Sequence, residues 1–406
     1  MGTAAILFLC TGIFAAQEPP AAQAAGGEED GIFLRSADGA EELRIGTLFQ
    51  VNANLFESGL ADRDTELLLR KMRLEFEGRI DRIFRFNFEP NFAEDEVELE
   101  EAWVGADLGD DTLLMLGRMK EPFSLEEMSP TKHHDFVNFS LLSQFVPKED
   151  HGVTLFGSAF EERLAYGAAI YNGTGGDELN SDKDVAGRLV WKPFAGSDDE
   201  AVNGLQFGGS ATYGVAEQAI GMHELKTEAR VPFLSYLPGS MLDGRRVRLG
   251  AEAAWLSGPF GFNGEIIRVE EMAAGAGGRG NVVTTGWYAA ATWVVTGEEK
   301  TFEGVWPARP VFRSEEQGAS GTGALQLAFR ASELRLGDAL AGLGLVAPAS
   351  HPGEVRSYDL GLNWYLTYHA RMKLHFLHTR YGRDIPFGGD VRGSENAVLL
   401  QFQINF

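Results

Sequence analysis

The sequence predicts an all-β protein: a transmembrane antiparallel β-barrel of about 16 strands, with a constriction loop folded into its lumen. Three observations lead to this fold class. The final strand alternates between apolar and polar residues, the same alternation recurs along most of the chain, and one long loop is rich in apolar side chains. A strand between lipid and water needs apolar residues on one face only.

The final strand, residues 395–406, carries the clearest alternation. Its polar face holds Gln401, Gln403 and Asn405, and its apolar face holds Val398, Leu400, Phe402, Ile404 and Phe406. We expect the apolar face to contact lipid and the polar face to meet water near the periplasmic mouth. The terminal aromatic Phe406 is what the outer-membrane assembly machinery would recognise.

The same period of two recurs from about residue 43 onward, between clusters of Gly, Asn, Asp and Pro. There are more strands with one apolar face than a single β-sandwich core could bury. A closed barrel solves this because each apolar face can point to lipid. The predicted strands lie near 43–57, 65–78, 82–93, 96–107, 112–120, 150–158, 162–171, 184–193, 203–215, 245–257, 259–271, 283–297, 320–332, 355–367, 369–381 and 395–406.

Loop lengths give an independent check on this strand order. Short connections alternate with long ones, as periplasmic turns alternate with extracellular loops, and an even strand count returns both termini to the periplasm. Residues 298–319 are the exception, and we predict a packed periplasmic hairpin there. The glycine-rich stretch 275–280 lies between strands with no helix after it, so it is expected to be a turn or extracellular loop and not a nucleotide-binding loop.

The N-terminus has a different composition from the rest. An apolar run at 4–16, followed by small residues, predicts a signal peptide over residues 1–24, then an acidic periplasmic segment over 25–42 and the barrel over 43–406. The single cysteine, Cys10, lies in the signal peptide. A lipid anchor at Cys10 is disfavoured because Phe8 and Leu9 are too large for a lipoprotein motif.

Composition excludes several other classes of protein. No apolar stretch of 18 residues follows the N-terminal segment, which argues against a helical membrane protein. The net charge of −24 argues against nucleic-acid binding. A chain without cysteine after its signal peptide has no disulfide framework, and no cofactor or metal is expected. The predicted location is the outer membrane of a Gram-negative-type envelope.

Two loops stand out by length, 121–149 and 216–244. A barrel of about 16 strands is too wide for its own side chains to fill, so a folded-in loop is the natural constriction. The first loop is apolar enough to pack against the wall, since it contains Phe123, Met128, Phe136, Phe139, Leu141, Leu142 and Phe145.

The region around this loop also resembles a known family, the phosphate-selective porin O and P family. The resemblance rests on collinear matches that span almost the whole mature chain: residues 116–127 (LGRMKEPFSLEE), Phe136, Val146-Pro147, Gly152-Val153, 69–74 (LRKMRL) with Gly78, 186–191 (AGRLVW), 296–298 (TGE) and 361–365 (GLNWY). It implies a homotrimer of 16-stranded barrels that take up anions such as phosphate or polyphosphate.

Two departures from the family pattern bear on selectivity. Asn138-Phe139 stands where the family usually has Glu-Arg, and Lys148-Glu149-Asp150 stands where an arginine usually follows the proline. Because several cations are needed to replace the hydration of phosphate, the sequence favours a general porin for small hydrophilic solutes and ions over a phosphate-specific one.

Candidate selectivity residues are cations near the predicted constriction. Arg118 and Lys120 are two apart and share a face, as do Lys71 and Arg73, and we expect both pairs in the lumen. The pairs Arg246/Arg248 and Arg371/Lys373 have the same spacing. The loop adds Lys132, His133, His134 and Lys148. The alternative is that the wall cations pair with Glu75, Glu77, Glu89 or Glu252 and leave the lumen near neutral.

Two other functional classes are weaker. Catalysis is not expected, because Ser140 with His133 or His134 has no motif context and no Gly-x-Ser-x-Gly or His-Glu-x-x-His occurs. Adjacent histidines without a third ligand do not indicate a metal site. A structural or partner-binding barrel remains the alternative to a porin, and an occluded lumen would distinguish it.

Overall fold

The computed structural model describes residues 23–27, 31–57, 64–93, 97–175, 182–220, 224–312, 321–387 and 390–406. Most of residues 1–24, the predicted signal peptide, lie outside these ranges. The described chain forms a closed antiparallel β-barrel of 16 strands. Closure is made by the last strand pairing with the first, from Asn405 opposite Leu48 to Ala397 opposite Phe56.

The barrel strands are numbered in chain order. They are β1 Glu42–Phe56, β2 Thr65–Ile80, β3 Phe84–Asn91, β4 Glu98–Gly109, β5 Thr112–Lys120, β6 Glu149–Ala159, β7 Leu164–Tyr171, β8 Asp184–Trp191, β9 Gln206–Ala219, β10 Met241–Ser257, β11 Phe260–Gly275, β12 Gly278–Val294, β13 Ala324–Leu336, β14 Glu354–Tyr365, β15 Ala370–Phe387 and β16 Asp390–Asn405.

Each of the 16 predicted strands has its counterpart in this order, which confirms the predicted fold class. The largest boundary difference is at the end of β15, which continues to Phe387 where residue 381 was predicted. The stretch 275–280 is a tight turn at residues 276 and 277, and Leu343 O of the loop between β13 and β14 accepts a hydrogen bond from Gly277 N at 2.9 Å. The glycines let that loop approach closely, because an added Cβ at Gly277 would lie 2.6 Å from Gly342 O.

The strands differ greatly in length around the barrel. Four strands on one side, β3, β5, β7 and β8, have 8 or 9 residues. On the other side β10, β11, β12, β15 and β16 have 16 to 18. The short connections follow even-numbered strands such as β2, β4 and β10, and this end is the periplasmic one.

Additional short strands extend the periplasmic end. Gly31–Arg35 pairs with Gln23–Gly27 and also with the start of β1, just beyond the point where β16 stops. In the long connection after β12, Lys300–Thr301 pairs with Gly304–Val305. That pairing confirms the predicted hairpin within 298–319, although residues 313–320 lie outside the described ranges.

The outer face is apolar, as predicted. Large hydrophobic side chains point away from the lumen and are exposed: Leu116, Val153, Ile170, Leu189, Ile266, Trp293, Phe329, Leu360, Phe376 and Phe402. None of the helices in the described ranges is long and apolar enough to span a membrane.

The inner face of β16 departs from expectation. Gln401 and Gln403 have no exposed surface and Asn405 is buried, so the prediction that they meet water is wrong. Gln401 donates to Asn52 Oδ1 at 3.0 Å, and Gln50 donates to Gln403 Oε1 at 2.8 Å. A ladder of amides therefore links β1 to β16 beneath the loop, which supplies Lys132 O as a further acceptor for Gln403.

Candidate pore and constriction

The constriction loop, residues 121–148 between β5 and β6, folds into the barrel. Phe123, Phe136 and Leu142 are buried against the inner faces of β11, β12 and β13. The partner side chains are Ile267, Val269, Tyr288, Ala290 and Ala328. The predicted packing of this loop against the wall is therefore confirmed, and apolar burial is its physical cause.

Arg330 on β13 holds the loop in place. Its guanidinium lies 3.0 Å from Glu126, donates to Asn138 O at 2.9 Å, and stacks 4.3 Å from the ring centre of Phe136. It also pairs with Glu228 at 2.9 Å. Because Glu228 belongs to the loop between β9 and β10, this one buried cation joins two loops to the wall.

Polar side chains of β13 to β16 bind the loop backbone directly. Lys373 donates to Phe136 O at 3.0 Å and Asn363 donates to Asp135 O at 2.8 Å. Arg371 donates to Lys132 O, which also accepts from Gln403 Nε2. The Arg371/Lys373 pair therefore faces the lumen but serves as an anchor for the loop.

The second long loop, 220–240, covers the first from the extracellular side. The loop is shorter than the predicted 216–244 because β9 and β10 continue further than expected. It contains a hairpin in which Glu224–Lys226 pairs with Pro232–Ser235. Gln144 bonds both the N–H and the carbonyl of Lys226, at 2.6 and 2.7 Å. Leu225, Phe233 and Leu234 join Leu141 in one buried cluster.

The opposite wall, β2 to β8, is left open. Three cavities of about 600, 350 and 390 Å³ follow it from the extracellular side, and a fourth of about 770 Å³ lies at the periplasmic end beside β9 and β10. Neighbouring cavities share lining residues: Lys120 between the first and second, Met128 and Phe156 between the second and third, Glu162 and Lys192 between the third and fourth. The barrel is therefore not filled on this side.

Lys120 lies where the first two cavities adjoin. Its ammonium donates to Glu127 O at 2.7 Å and to Ser129 O at 3.3 Å. These partners are neutral carbonyls, so the contacts orient the lysine without neutralising its charge. The chain turns inward at the end of β5, which brings Lys120 into the lumen.

Arg118 lies on the other face of β5, so the prediction that it shares the lumen with Lys120 is wrong. It follows Leu114 and Leu116 on the outward face, opposite exposed His151 of β6. It donates to Leu99 O at 2.9 Å and to Gly175 O at 2.8 Å. Arg118 follows the alternation of side chains along the strand. Lys120 does not, because it is the last residue of β5 and the chain turns inward there.

Lys71 and Arg73 do face the lumen, and both are paired with carboxylates. Lys71 bonds Glu100. Arg73 lies 2.6 Å from Glu75, 3.2 Å from Glu89 and 2.9 Å from Glu100. These two residues therefore fit the alternative predicted from the sequence, in which carboxylates neutralise the cations of the wall.

The loop cations occupy three different environments. Lys132 pairs with Glu75 at 2.6 Å. Burial lowers the pKa of His133 to about 4 and that of His134 to about 3, so both rings are neutral at pH 7. Lys148 is half exposed beside the extracellular cavity, 4.0 Å from Glu127 and 5.9 Å from the ring centre of Phe139.

Glu127 lies between the two lysines of the constriction. Burial raises its pKa to about 8 although Lys148 and Lys120 oppose the shift. The Oε1 atom of Glu127 has no hydrogen-bond partner. At neutral pH its carboxyl group is mainly protonated and uncharged, so it does not offset the positive charges of Lys120 and Lys148.

A further ion cluster fixes the extracellular end of β8. Arg246 pairs with Asp184 at 2.7 Å and Arg248 lies 3.8 Å from the same carboxylate. Arg246 also donates to Gly173 O at 2.5 Å. This pair, like Arg371/Lys373, faces inward and holds a loop.

Sequence reasoning did not identify Arg330, Glu126 or Glu228 as important. The available signal was an arginine on an inner face of β13 whose other residues are uncharged, because such a charge must find partners. Within the described ranges no cluster of three or more His, Cys, Asp or Glu could hold a metal ion.

A closed barrel of 16 strands, apolar outside and holding polar cavities inside, defines an outer-membrane porin, a channel for small solutes. The protein therefore lies in the outer membrane.

The chain belongs to the phosphate-selective porin O and P family, whose model matches residues 45–406, as the sequence motifs predicted. Solved structures share its fold at low identity. The outer membrane channel DcaP of Acinetobacter baumannii is 10% identical with a TM-score of 0.59, covering 92% of this chain and 99% of that one. The anion-selective porin from Comamonas acidovorans is 11% identical with a TM-score of 0.56, covering 90% and 100%.

OmpT of Vibrio cholerae, in its trimer form, is 9% identical with a TM-score of 0.55, covering 90% of this chain and 100% of that one. A search of curated proteins found no significant match.

Proposed function

We propose that the protein is a passive diffusion porin with a mild preference for anions, set at the constriction by Lys120 and Lys148. The observation that carries the proposal is the row of four cavities with shared lining residues, three along β2 to β8 and one at the periplasmic end. Such a row supports diffusion of hydrated solutes and disfavours the alternative of an occluded structural barrel.

The preference is expected to be mild because cations and acids alternate along the route. The extracellular cavity is lined by six basic and five acidic side chains. Lys71 in this cavity and Arg73 in the next are held by carboxylates, whereas Lys120 contacts only carbonyl oxygens. A doubly charged phosphate ion would need several free cations in place of its hydration shell, so general anion transport is favoured over phosphate specificity.

Non-enzymatic action is part of the same proposal. The hydroxyl of Ser140 donates to Glu126 Oε2 at 2.6 Å, and Glu126 is in turn paired with Arg330. His134 Nε2 instead lies 3.2 Å from Ser129 O. The arrangement supports a structural role for Ser140, because its partner is a carboxylate committed to an ion pair.

A homotrimer is proposed from the shape of the wall. The short strands β3, β5, β7 and β8 expose apolar residues, including Phe84, Phe88, Leu116 and Ile170. Burying this wall against two neighbouring copies would remove apolar area from lipid contact and protect the thinnest part of the barrel. The expected assembly is measured by analytical ultracentrifugation of the detergent-solubilised protein.

Single-channel recording in planar bilayers tests the channel proposal. We expect stepwise conductance, and a reversal potential in a potassium chloride gradient that reports modest anion preference. Added phosphate should reduce the current only weakly. Absence of conductance steps would overturn the porin proposal, and a cation-selective reversal potential would overturn the proposed role of the two lysines.

A further inference from the structure

Several arginines lie on the outer face of the wall formed by β10 to β15, away from the pore. Arg268 of β11, Arg335 of β13 and Arg356 of β14 have side chains 51%, 62% and 46% exposed. Arg380 of β15 is also exposed, and Arg245 of β10 lies beside them at 55%. We call these five residues the arginine belt.

The belt lies at the extracellular border of the apolar band. On β14 the outward residues are Trp364, Leu362, Leu360 and Tyr358, all exposed, and the next outward residue is Arg356. Eight residues of tilted strand separate Trp364 from Arg356, a rise of about 20 Å, comparable to the apolar band of an outer-membrane barrel. The arginines are thus at head-group height.

Strand register groups these arginines across neighbouring strands. Arg356 lies directly opposite Arg380 on β15 and opposite Glu333 on β13. Arg335 lies opposite Glu354 and, on its other side, opposite Thr285 of β12. Thr285 in turn lies opposite Arg268. Positive side chains therefore line adjoining strands at one level of the outer wall.

Carboxylates compensate the belt only in part. Glu333 and Glu354 pair with Arg335 and Arg356 at 2.7 to 3.3 Å, and Glu270 pairs with Arg268 at 2.7 Å. Arg380 makes no ion pair or side-chain hydrogen bond with any described residue. Like charges directly opposite one another on a sheet are destabilising, so an anion bound beside Arg380 would stabilise the Arg356/Arg380 pair.

The outer wall on β2 to β8 has no comparable feature among its described residues. At the same edge its outward side chains include Leu67, Leu99 and Val185, all exposed and apolar. Arg118, the arginine on that side, is bound to two carbonyl oxygens. An apolar wall suits contact with another copy of the chain, whereas the charged wall suits an anionic lipid surface.

We propose that the arginine belt binds the phosphorylated glycolipids of the outer leaflet, the lipopolysaccharide class. A guanidinium group binds phosphate oxygens in a bidentate manner and is always charged. Lipid phosphates at head-group height would separate Arg356 from Arg380 and complete the charge balance of the belt. The acyl chains would pack on the apolar residues directly below, such as Tyr358 and Phe376.

Lipid binding by the full-length mature protein in neutral detergent tests this proposal. Purified lipid A carrying both phosphates is titrated against wild type, against Arg356→Gln/Arg380→Gln, and against Arg163→Gln. Arg163 lies exposed in the periplasmic turn between β6 and β7, so its variant loses a charge at the opposite rim. Native mass spectrometry counts bound lipid, and heat-modifiable mobility on gels checks that each variant is folded.

We expect the double variant to bind lipid A about tenfold more weakly or worse, and Arg163→Gln to bind within about twofold of wild type. Removing the phosphates from lipid A should weaken its binding to wild type at least as much as the double substitution weakens the binding of intact lipid A. Equal binding of intact lipid A by wild type and double variant would overturn the proposal, as would equal binding of both lipids by wild type. If the double variant instead loses its oligomeric state in lipid-free detergent, the belt is an interface between copies and the lipid proposal fails.

Discussion

The two halves of the inner wall carry the same kinds of charged residue and use them differently. On β13 to β16 the inward cations Arg330, Arg371 and Lys373 are buried and hold loops. On β2 to β5 the inward cations Lys71, Arg73 and Lys120 line cavities that solutes could occupy. An inward charge becomes part of a pore only where the loops leave a cavity beside it.

Loop coverage also explains the unequal lengths of the strands. Strands β10 to β16, five of which have 16 to 18 residues, provide the inner surface on which both long loops rest, through the buried clusters around Leu141 and Phe136. Strands β3 to β8, four of which have 8 or 9 residues, border the open route. The contrast therefore separates a supporting wall, β10 to β16, from a conducting wall, β2 to β8, and four experiments test it.

The largest effect is expected from removing the anchor of the supporting wall. Arg330→Ala leaves Glu126 and Glu228 without their shared cation in a buried site, and loss of one partner of a buried ion pair costs about 3–5 kcal/mol. We expect the free energy of unfolding in detergent micelles to fall by about this amount, with higher and noisier conductance as the loops loosen. The control is Arg85→Ala, which removes a half-exposed cation paired with Asp107 alone.

Equal losses of stability in Arg330→Ala and Arg85→Ala would show that the supporting wall has no special anchor.

The next effect concerns Arg73 on the conducting wall. Arg73→Ala leaves Glu75, Glu89 and Glu100 without their common partner, so the route gains net negative charge. We expect the reversal potential in a salt gradient to move toward cation preference. Arg73→Lys keeps the charge and should stay close to wild type, and an identical shift in both variants would mean that geometry, not charge, sets the preference.

A smaller effect is expected from Lys120, where the first two cavities adjoin. Lys120→Ala removes one lumen charge, and a unit charge at about 4 Å in a water-like medium contributes about 1 kcal/mol, so the anion-to-cation permeability ratio should fall severalfold. Arg118→Ala is the matched control, because it removes a cation two residues away on the outward face. Equal changes in both variants would refute the placement of the selectivity filter at Lys120.

The smallest effect is a pH dependence of that preference. Burial raises the pKa of Glu127 from an ordinary 4.5 to about 8, while Lys148, Lys120, Glu149 and Glu126 act on it through their charges. Below that pKa the carboxyl group is neutral, and above it a negative charge forms beside the lysines. Anion preference should therefore decline between about pH 7 and about pH 9.

Glu127→Gln is neutral at every pH and should remove this decline, with the reversal potential recorded over the same range. A decline of the same size in the variant would assign the effect to another group, such as Glu121, whose pKa is raised to about 7 by burial.

Much of the architecture could be predicted from the sequence because strand alternation is a local property. Phe402, Ile404 and Phe406 turn outward simply because successive side chains point to opposite faces. The same local rule placed Lys71 and Arg73 in the lumen correctly. It failed for the Arg118/Lys120 pair because Lys120 is the last residue of β5 and the chain bends inward there.

The sequence by itself determined the outer-membrane barrel, its 16 strands and the family, since each follows from periodicity, loop spacing and motif order along the chain. Only the tertiary structure decided which inward residues meet water. Gln401 and Arg330 lie on inward faces just as Arg73 does, but the loop 121–148 covers the first two and leaves the third beside a cavity. The physical reason is that coverage depends on contacts between segments some 200 residues apart, such as Asn138 with Arg330, which no local pattern encodes.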